Sequence, residues 1–358
     1  MQADRIQLCN FRNLQDTSLS LISGTNWFAG QNGQGKTNLI EALYFGLSGK
    51  SFRTNQIRDL ARNAQEPVSV DIDGVRNGKR IHLSVHLGNQ GCVRKISGKA
   101  VGIPEFLASA GVMAFTAIAK QFVEGSPEFR RKFIDQMICL MDVDYLKLLS
   151  RYRRIVSQCR EVLRKGGDRR VYQSFKMGAV PLARNIVQKR VDFLHDISES
   201  TDQILQEVLG GSPDLSFVYH IRNCRELNQY EKKMADVSIQ EVLHRRQLMG
   251  PQLDDVQIQL KSRNARNFAS SGQVRAIVLS LLLSTRKACL QKRNYLPILL
   301  LDDIDAELDL GRLERLLIHL RGGGQALLTT SKYGIIPEAE RHIFHVHAGR
   351  ISSERTSE

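Results

Sequence analysis

The chain has 358 residues, of which 42% are hydrophobic, and a formal net charge of +14. This length and composition are those of a globular protein with one large domain or two ordinary ones, and they exclude a disordered chain. The longest apolar runs, 277–284 and 297–301, are far shorter than the roughly 20 residues of a membrane-spanning helix. The first residues lack a basic start followed by an apolar stretch, so we expect no secretory signal. The six cysteines form no CxxC pair, so we expect reduced thiols, a cytoplasmic location and no zinc site.

The first 115 residues are predicted to be mainly strands and turns around one helix. Residues 68–88 alternate between apolar and polar on both sides of a glycine-containing turn, which indicates a hairpin. A short apolar strand ends near residue 28, and apolar residues recur at helical spacing over 39–47. The glycine-rich segment between them is therefore predicted to join a strand to a helix.

That glycine-rich segment matches the pattern G-x-x-x-x-G-K-[ST] at every fixed position. Such a loop wraps its backbone N–H groups around a phosphate chain, and the start of the next helix adds positive potential. We expect Lys36 to reach the terminal phosphates and to act in catalysis, and the Thr37 hydroxyl to bind Mg²⁺. The predicted phosphate-binding residues are Gly30, Gln31, Asn32, Gly33, Gln34, Gly35, Lys36 and Thr37.

The middle of the chain is predicted to be mostly helical and is strongly basic. Apolar residues recur at helical spacing from about residue 146 to 209, and Pro181 is expected near a helix start. Residues 151–190 contain twelve Lys or Arg and two acidic residues. This concentration indicates either a surface for a polyanion such as nucleic acid or a solvated helix face. The candidate DNA-binding residues are Arg151, Arg153, Arg154, Arg169 and Arg170.

A second candidate phosphate site lies at Ser270-Ser271-Gly272-Gln273, directly before an apolar helix. A serine and the backbone N–H groups at a helix start bind phosphate well, although serine and glycine are also ordinary helix caps. The segment comes shortly before an apolar strand and two acids, which is the signature-then-acid order of ABC-type ATPases. We therefore assign Ser270 and Gly272 to nucleotide binding.

The two acids, Asp302 and Asp303, follow the apolar run 297–301. Asp302 is predicted to hold Mg²⁺ through water, and Asp303 to orient or deprotonate the attacking water. The alternative is a pair of acids that caps a strand. The wide separation between Thr37 and Asp302 predicts an insertion between two halves of a nucleotide-binding head.

The predicted architecture is therefore α/β, an ABC-ATPase-like head with a P-loop, assembled from both chain ends around an inserted and mostly helical lobe. The head is assigned to 1–115 plus 292–358, with a strand, a helix and further strands in its second part. The helical lobe, assigned to 116–291, carries the signature segment.

Six segments together resemble the RecF family of bacterial recombination and replication-repair ATPases, which is related to SMC-type heads. The resemblance covers nearly the whole chain, and several of its segments are not general ATPase features. The segments are NFRN at 10–13, GQNGQGKTNLIEALYFGLSGKSFRT at 30–54, EGSPEFRRKFID at 124–135, GPQLDD at 250–255, RNARNFASSGQ at 263–273 and LLLDDIDAELD at 299–309.

The resemblance implies an ATP-dependent homodimer in which each nucleotide lies between the loop of one subunit and the signature of the other. Ser270 and Gly272 would then contact the γ-phosphate in trans, and Asp309 would face the partner subunit. Slow hydrolysis would reopen the dimer, so that ATP and Mg²⁺ serve as a clamp switch. The resemblance also implies binding to single- and double-stranded DNA, the partners RecO and RecR, and a role in DNA replication, gap repair and the SOS response to DNA damage.

The chain departs from the family pattern at three places. Between Phe115 and the GSP segment, residues 116–123 contain neither the usual proline nor the usual acid. The family's GPHRDD-like motif reads GPQLDD with Gln252 and Leu253, and Thr329 and Thr330 stand where an ABC-type switch histidine is expected. These changes bear on nucleotide sensing and hydrolysis rate more than on nucleotide binding.

Other interpretations are less well supported. Arg12 is expected either to reach the nucleotide or to form a strand-end salt bridge. His345 and His347 share a strand face but have no evident third metal ligand. An ABC transporter subunit would show a fuller signature and a switch histidine, a P-loop kinase would not need a signature, and a complete SMC protein would need long heptad arms.

Overall fold

A computed structural model describes residues 1–54, 56–88, 91–306, 310–321, 323–337 and 342–353. The chain divides into two compact units. The first contains Met1–Lys120, Gln206–Gly211 and Ser271–Glu358, and the second contains Gln121–Leu205 and Ser212–Ser270. The first unit is therefore built largely from the two ends of the chain. Within the described residues, no helix combines the length and the apolar character that crossing a membrane demands.

The strands are β1 (Gln2–Cys9), β2 (Thr17–Ser20), β3 (Thr25–Ala29), β4 (Val68–Arg76), β5 (Lys79–Gly88), β6 (Gly91–Ile96), β7 (Lys99–Ala100), β8 (Val112–Phe115), β9 (Leu215–His220), β10 (Asp255–Leu260), β11 (Arg263–Asn264), β12 (Ile298–Leu301), β13 (Ala326–Thr330), β14 (Ile343–His347) and β15 (Arg350–Ser353). The helices are α1 (Lys36–Ser48), α2 (Ile103–Ala110), α3 (Gln121–Glu124), α4 (Pro127–Met141), α5 (Val143–Lys165), α6 (Arg169–Leu209), α7 (Tyr230–Asp236), α8 (Ser238–Leu243), α9 (Ala265–Phe268), α10 (Ser271–Arg293) and α11 (Leu310–Arg321).

The first unit contains two sheets with α1 packed against both. One sheet has the order β15-β14-β3-β13-β12-β8, with parallel pairing from β14 to β8. The other has the order β2-β1-β4-β5-β6-β7 and is antiparallel. Because α1 contacts strands of both sheets, eleven of its thirteen residues are buried. The helix that follows the glycine-rich loop is thus held on two sides.

The helix α10 lies in the first unit, although the sequence placed residues up to 291 in the helical lobe. Every residue from Val274 to Arg286 is buried. The Arg286 guanidinium donates to the carbonyl oxygens of Pro297 and Gln325, at 3.1 and 3.3 Å. This helix is therefore part of the core of the head, and the unit boundary falls at its first residue.

The second unit combines long helices with a three-stranded sheet of order β11-β10-β9. Pro181 lies inside α6, whereas the sequence suggested a helix start there. Two of the basic residues in 151–190 are buried in ion pairs and do not contribute charge to the surface. Lys176 is buried with its ammonium 2.7 Å from the Glu241 carboxylate, and Arg190 is buried against Asp135 at 2.8 Å. A charge count along the chain does not separate such paired charges from exposed ones.

Candidate nucleotide-binding site

The glycine-rich loop follows β3 and leads directly into α1. Gly35 has φ +111° and Gly33 has φ +80°, values that side-chain-bearing residues rarely adopt. A Cβ at Gly30 would collide with the carbonyl oxygen of Val346 on the neighbouring strand β14. The loop therefore keeps its shape only with glycine at these positions.

Lys36 is buried and lies across the loop. Its ammonium donates to the carbonyl oxygens of Gly30 at 2.8 Å and Gln31 at 3.1 Å. It also lies 3.9 Å from Oδ1 of Asp303. The loop lysine and one of the two strand-end acids therefore lie next to each other, although they are far apart in the chain.

Asp302 is buried at the end of β12 and accepts hydrogen bonds from two threonines. Thr329 Oγ1 donates to Asp302 Oδ1 at 2.8 Å, and Thr37 also hydrogen-bonds its side chain. Burial raises the pKa of the Asp302 carboxyl, and the hydrogen bonds from Thr329 and Thr37 oppose that rise. A hydroxyl and a carboxylate oxygen in contact are ligands of the kind that Mg²⁺ takes beside nucleotide phosphates.

Asp303 is differently placed from its neighbour, because 43% of its side chain is exposed. It has φ +46°, an uncommon backbone conformation for a residue with a side chain. Its backbone N–H donates to Thr329 Oγ1 at 2.8 Å. Thr329 thus hydrogen-bonds both acids, and it lies on β13, the strand that would carry an ABC-type switch histidine.

A cavity of about 290 Å³ brings these groups together. Its lining residues are Asn32, Gly33, Gly35, Lys36, Thr37, Asn38, Arg53 and Asp303. The cavity therefore joins the phosphate loop to the acid expected to act on water, and two cations, Lys36 and Arg53, line it.

Arg53 was not assigned a role from the sequence. Its guanidinium donates to Asn38 Oδ1 at 2.7 Å and lies 3.4 Å from the buried carboxylate of Glu41. The segment SFRT, residues 51–54, is part of the family resemblance, but its residues alone do not predict a position at the cavity. The Arg53 guanidinium therefore adds positive charge to the wall of the cavity.

Arg12 forms the salt bridge that was one of its two expected roles. Its Nε and an η nitrogen lie 3.1 Å from the two carboxylate oxygens of Glu41, whose side chain is fully buried. It also donates to the carbonyl oxygen of Asp59 at 2.7 Å. Arg12 therefore fixes the segment after β1 against α1.

The signature segment begins α10. Ser270 and Ser271 are exposed, and Gly272 lies in the first turn of the helix. A buried arginine of the same helix, Arg275, donates to the carbonyl oxygen of Asp303 at 3.0 Å and lies over the ring of Phe115. The first turns of α10 are thus hydrogen-bonded to the backbone of Asp303, a contact that spacing along the chain did not predict.

The remaining candidates have other surroundings. His345 contacts Tyr333, with 3.0 Å between Nδ1 and the phenol oxygen, and no group of three potential metal ligands occurs among the described residues. In the second unit, Gln252 accepts from the Tyr152 hydroxyl. Asp309 falls outside the described residues.

Five exposed arginines define what we call the arginine surface, and all of them belong to the second unit. They are Arg151, Arg153, Arg154, Arg169 and Arg170. One of them, Arg153, lies 4.0 Å from the carboxylate of Asp135 and is still 64% exposed. The arginine surface therefore remains available to solvent, unlike Lys176 and Arg190.

The chain is similar to several known proteins. Residues 5–208 match a family model described as an AAA domain. The DNA replication and repair protein RecF of Geotalea daltonii is 32% identical, over 98% of this chain and all of that protein. The corresponding protein of Bacillus mycoides is 30% identical over 98% of each chain.

Solved structures agree with this relationship. The structure of the recombination mediator protein RecF-ATP in the RecFOR pathway has a TM-score of 0.87 and 25% identity, covering 98% of this chain and 97% of that one. An Smc head bound to the C-winged helix domain of ScpA shares the fold, with a TM-score of 0.60 at 16% identity over 99% and 97%. The predicted α/β ATPase head is confirmed, and the chain belongs to the RecF family of DNA replication and repair proteins.

Proposed function

We propose that this RecF-family ATPase is an ATP-switched DNA clamp that acts at single-strand gaps during replication and recombinational repair. One observation carries the proposal: Lys36, Thr37, Asp302 and Asp303 meet at one site, although the chain separates the loop from the acids. The relatives are named for DNA replication and repair, and one structural neighbour is described with ATP. The relatives and structural neighbours reported above are RecF and Smc proteins, and they do not favour the ABC transporter alternative.

The loop and its surroundings would bind the phosphates of ATP. The backbone of Gly30–Thr37 and the start of α1 supply N–H donors, while Lys36 and Arg53 supply positive charge. Thr37 and Asp302 would hold Mg²⁺, which when bound neutralises phosphate charge. Asp303 faces the cavity and would orient the attacking water and accept its proton. In this proposal hydrolysis is slow, since its role is to end the ATP-bound conformation and not to supply a chemical product.

A second copy of the chain would complete each site. Ser270 and Gly272 lie at an exposed helix start, where the N–H groups and the helix dipole favour an anion. In the proposed dimer they contact the terminal phosphate of the nucleotide held by the other subunit. ATP would then close the dimer, and its hydrolysis would release it.

Replacing Ser270 with Arg tests the shared site. The added bulk at the helix start is expected to leave nucleotide affinity of the monomer unchanged and to prevent ATP-dependent dimerisation. Light scattering with and without ATP measures the dimer, and a fluorescent ATP analogue measures affinity. Ser212→Arg, at another exposed position of the second unit, is the matched control. A Ser270→Arg protein that dimerises with ATP as the parent does would contradict the shared site.

DNA would bind along the arginine surface through its phosphates, without base readout. Single- and double-stranded DNA are both expected ligands, and the RecFOR description of a neighbour supports RecO and RecR as partners. We further propose a cytoplasmic location and a part in the SOS response.

Changing the five residues of the arginine surface to Gln is expected to weaken DNA binding and to flatten its dependence on salt. Each lost phosphate contact lowers the slope of log affinity against log salt by about 0.9 on duplex DNA. Titrations on gapped, single-stranded and double-stranded DNA, with and without ATP, provide the measurement. Changing Lys79, Arg80 and Lys99, which are exposed in the first unit, is the control. An unchanged slope for the arginine variant would place the DNA surface elsewhere.

A further inference from the structure

The segment after β8 leaves the sheet at the carboxyl end of its parallel strands, where Asp302 and Asp303 also lie. Phe115, the last residue of β8, pairs with Leu301 of β12, and its carbonyl oxygen accepts from the N–H of Asp302 at 2.9 Å. The chain then forms a short 3₁₀ turn, Ala117–Lys120, that contacts α10. The turn that follows β8 therefore packs against α10, the helix that begins at the signature segment.

Lys120 ends this turn at the signature itself. Its ammonium donates to Ser271 Oγ at 3.2 Å, and the side chain is partly exposed. Residues 116–123 contain no acid and no other charged residue. The exposed start of α10 therefore has the ammonium group of Lys120 beside its first residue.

We propose that Lys120 acts in trans, contacting the terminal phosphate of the nucleotide bound by the loop of a second copy of the chain. This inference rests on the proposed shared site and adds a residue to it. Lys36 reaches the phosphate from the loop side, and Lys120 reaches it from the signature side. As the dimer closes and water leaves, each of these charge-assisted contacts strengthens. Lys120 stabilises the closed dimer and the charge that develops on the phosphate during hydrolysis.

Lys120→Gln removes the charge but keeps a hydrogen-bond donor for Ser271. We expect nucleotide affinity of the monomer to stay within about twofold of the parent, because the residue does not serve its own loop. We expect ATP-dependent dimerisation to weaken about tenfold or more, the size of one lost charge-assisted contact. Lys99→Gln, an exposed lysine of the same unit, should match the parent in both measurements.

Mixing experiments show whether Lys120 acts across the dimer. A mixture of Lys120→Gln with Lys36→Ala forms heterodimers in which one site has an intact loop facing an intact signature. Its ATPase rate is expected to exceed the sum of the two variants measured separately. A mixture of Ser270→Arg with Lys36→Ala should also have an ATPase rate above the sum of the two variants. This mixture shows how large the increase is for a residue of the signature segment.

The outcomes separate this inference from the proposed function. If the Ser270→Arg mixture is rescued and the Lys120→Gln mixture is not, Lys120 does not act in trans. Dimerisation of Lys120→Gln at the level of the parent also overturns the inference while leaving the shared site intact. If neither mixture is rescued and the parent does not dimerise with ATP, the shared site itself is wrong.

Discussion

Lys36→Ala is expected to abolish ATP binding. The Lys36 ammonium is held over the loop by the carbonyl oxygens of Gly30 and Gln31, so it is already positioned for the phosphates. Hydrogen bonds between charged groups contribute about 1.5–3 kcal/mol each. Two such contacts to phosphate oxygens correspond to an affinity loss of about 10²–10⁴-fold. Equilibrium binding of a fluorescent ATP analogue measures this loss.

The control for this variant is Lys79→Ala, an exposed position on β5 of the same unit. It should bind ATP as the parent does. Thermal unfolding should show that Lys36→Ala remains folded, because the change removes a side chain from the loop and leaves both sheets intact. If Lys36→Ala bound ATP with an affinity close to that of the parent, the loop would not be the ATP-binding site.

The second large effect is expected for Asp303→Asn, which should retain ATP binding and lose hydrolysis. A positioned carboxylate that accepts a proton from water contributes about 10²–10⁴-fold to rate. The amide cannot accept that proton, but it fits the same space at the cavity wall. Phosphate release measured at saturating ATP should therefore fall by at least about 100-fold, with the ATP-bound dimer persisting longer.

Asp302→Asn provides the comparison. Its carboxylate is buried against Thr37 and Thr329, so its loss is expected to weaken Mg²⁺-dependent nucleotide binding rather than hydrolysis alone. If Asp303→Asn hydrolyses ATP at the rate of the parent, another group activates the water. If both variants show the same defect, the division of labour between the two acids is wrong.

The parts of the site that could be predicted from the sequence are those formed by contiguous segments of the chain. Eight residues fix the shape of the phosphate loop, and an apolar strand followed by two acids identifies the opposite wall. Arg53, Thr329 and Arg275 could not be assigned roles in the same way. Each acts through contacts with residues distant in the chain, and their types are common on any surface or strand.

The same limit explains the differences in the fold. An apolar helix such as α10 packs equally well in a helical lobe or in a head, so its sequence does not decide its unit. Lys176 and Arg190 read as part of a basic stretch because their partners, Glu241 and Asp135, lie elsewhere in the chain. Burial and pairing depend on tertiary structure, whereas charge and periodicity do not.

Glu41 has a consequence for how substitutions combine. Its fully buried carboxylate bonds Arg12 after β1, Ser51 and Arg53. Loss of one arginine leaves the carboxylate with the other, whereas loss of Glu41 leaves two cations without their shared anion. Substitutions at these positions should therefore be strongly non-additive. Along an evolutionary lineage, this cluster is expected to change as a set, with the order of replacement constrained by the need to keep the buried charge neutralised.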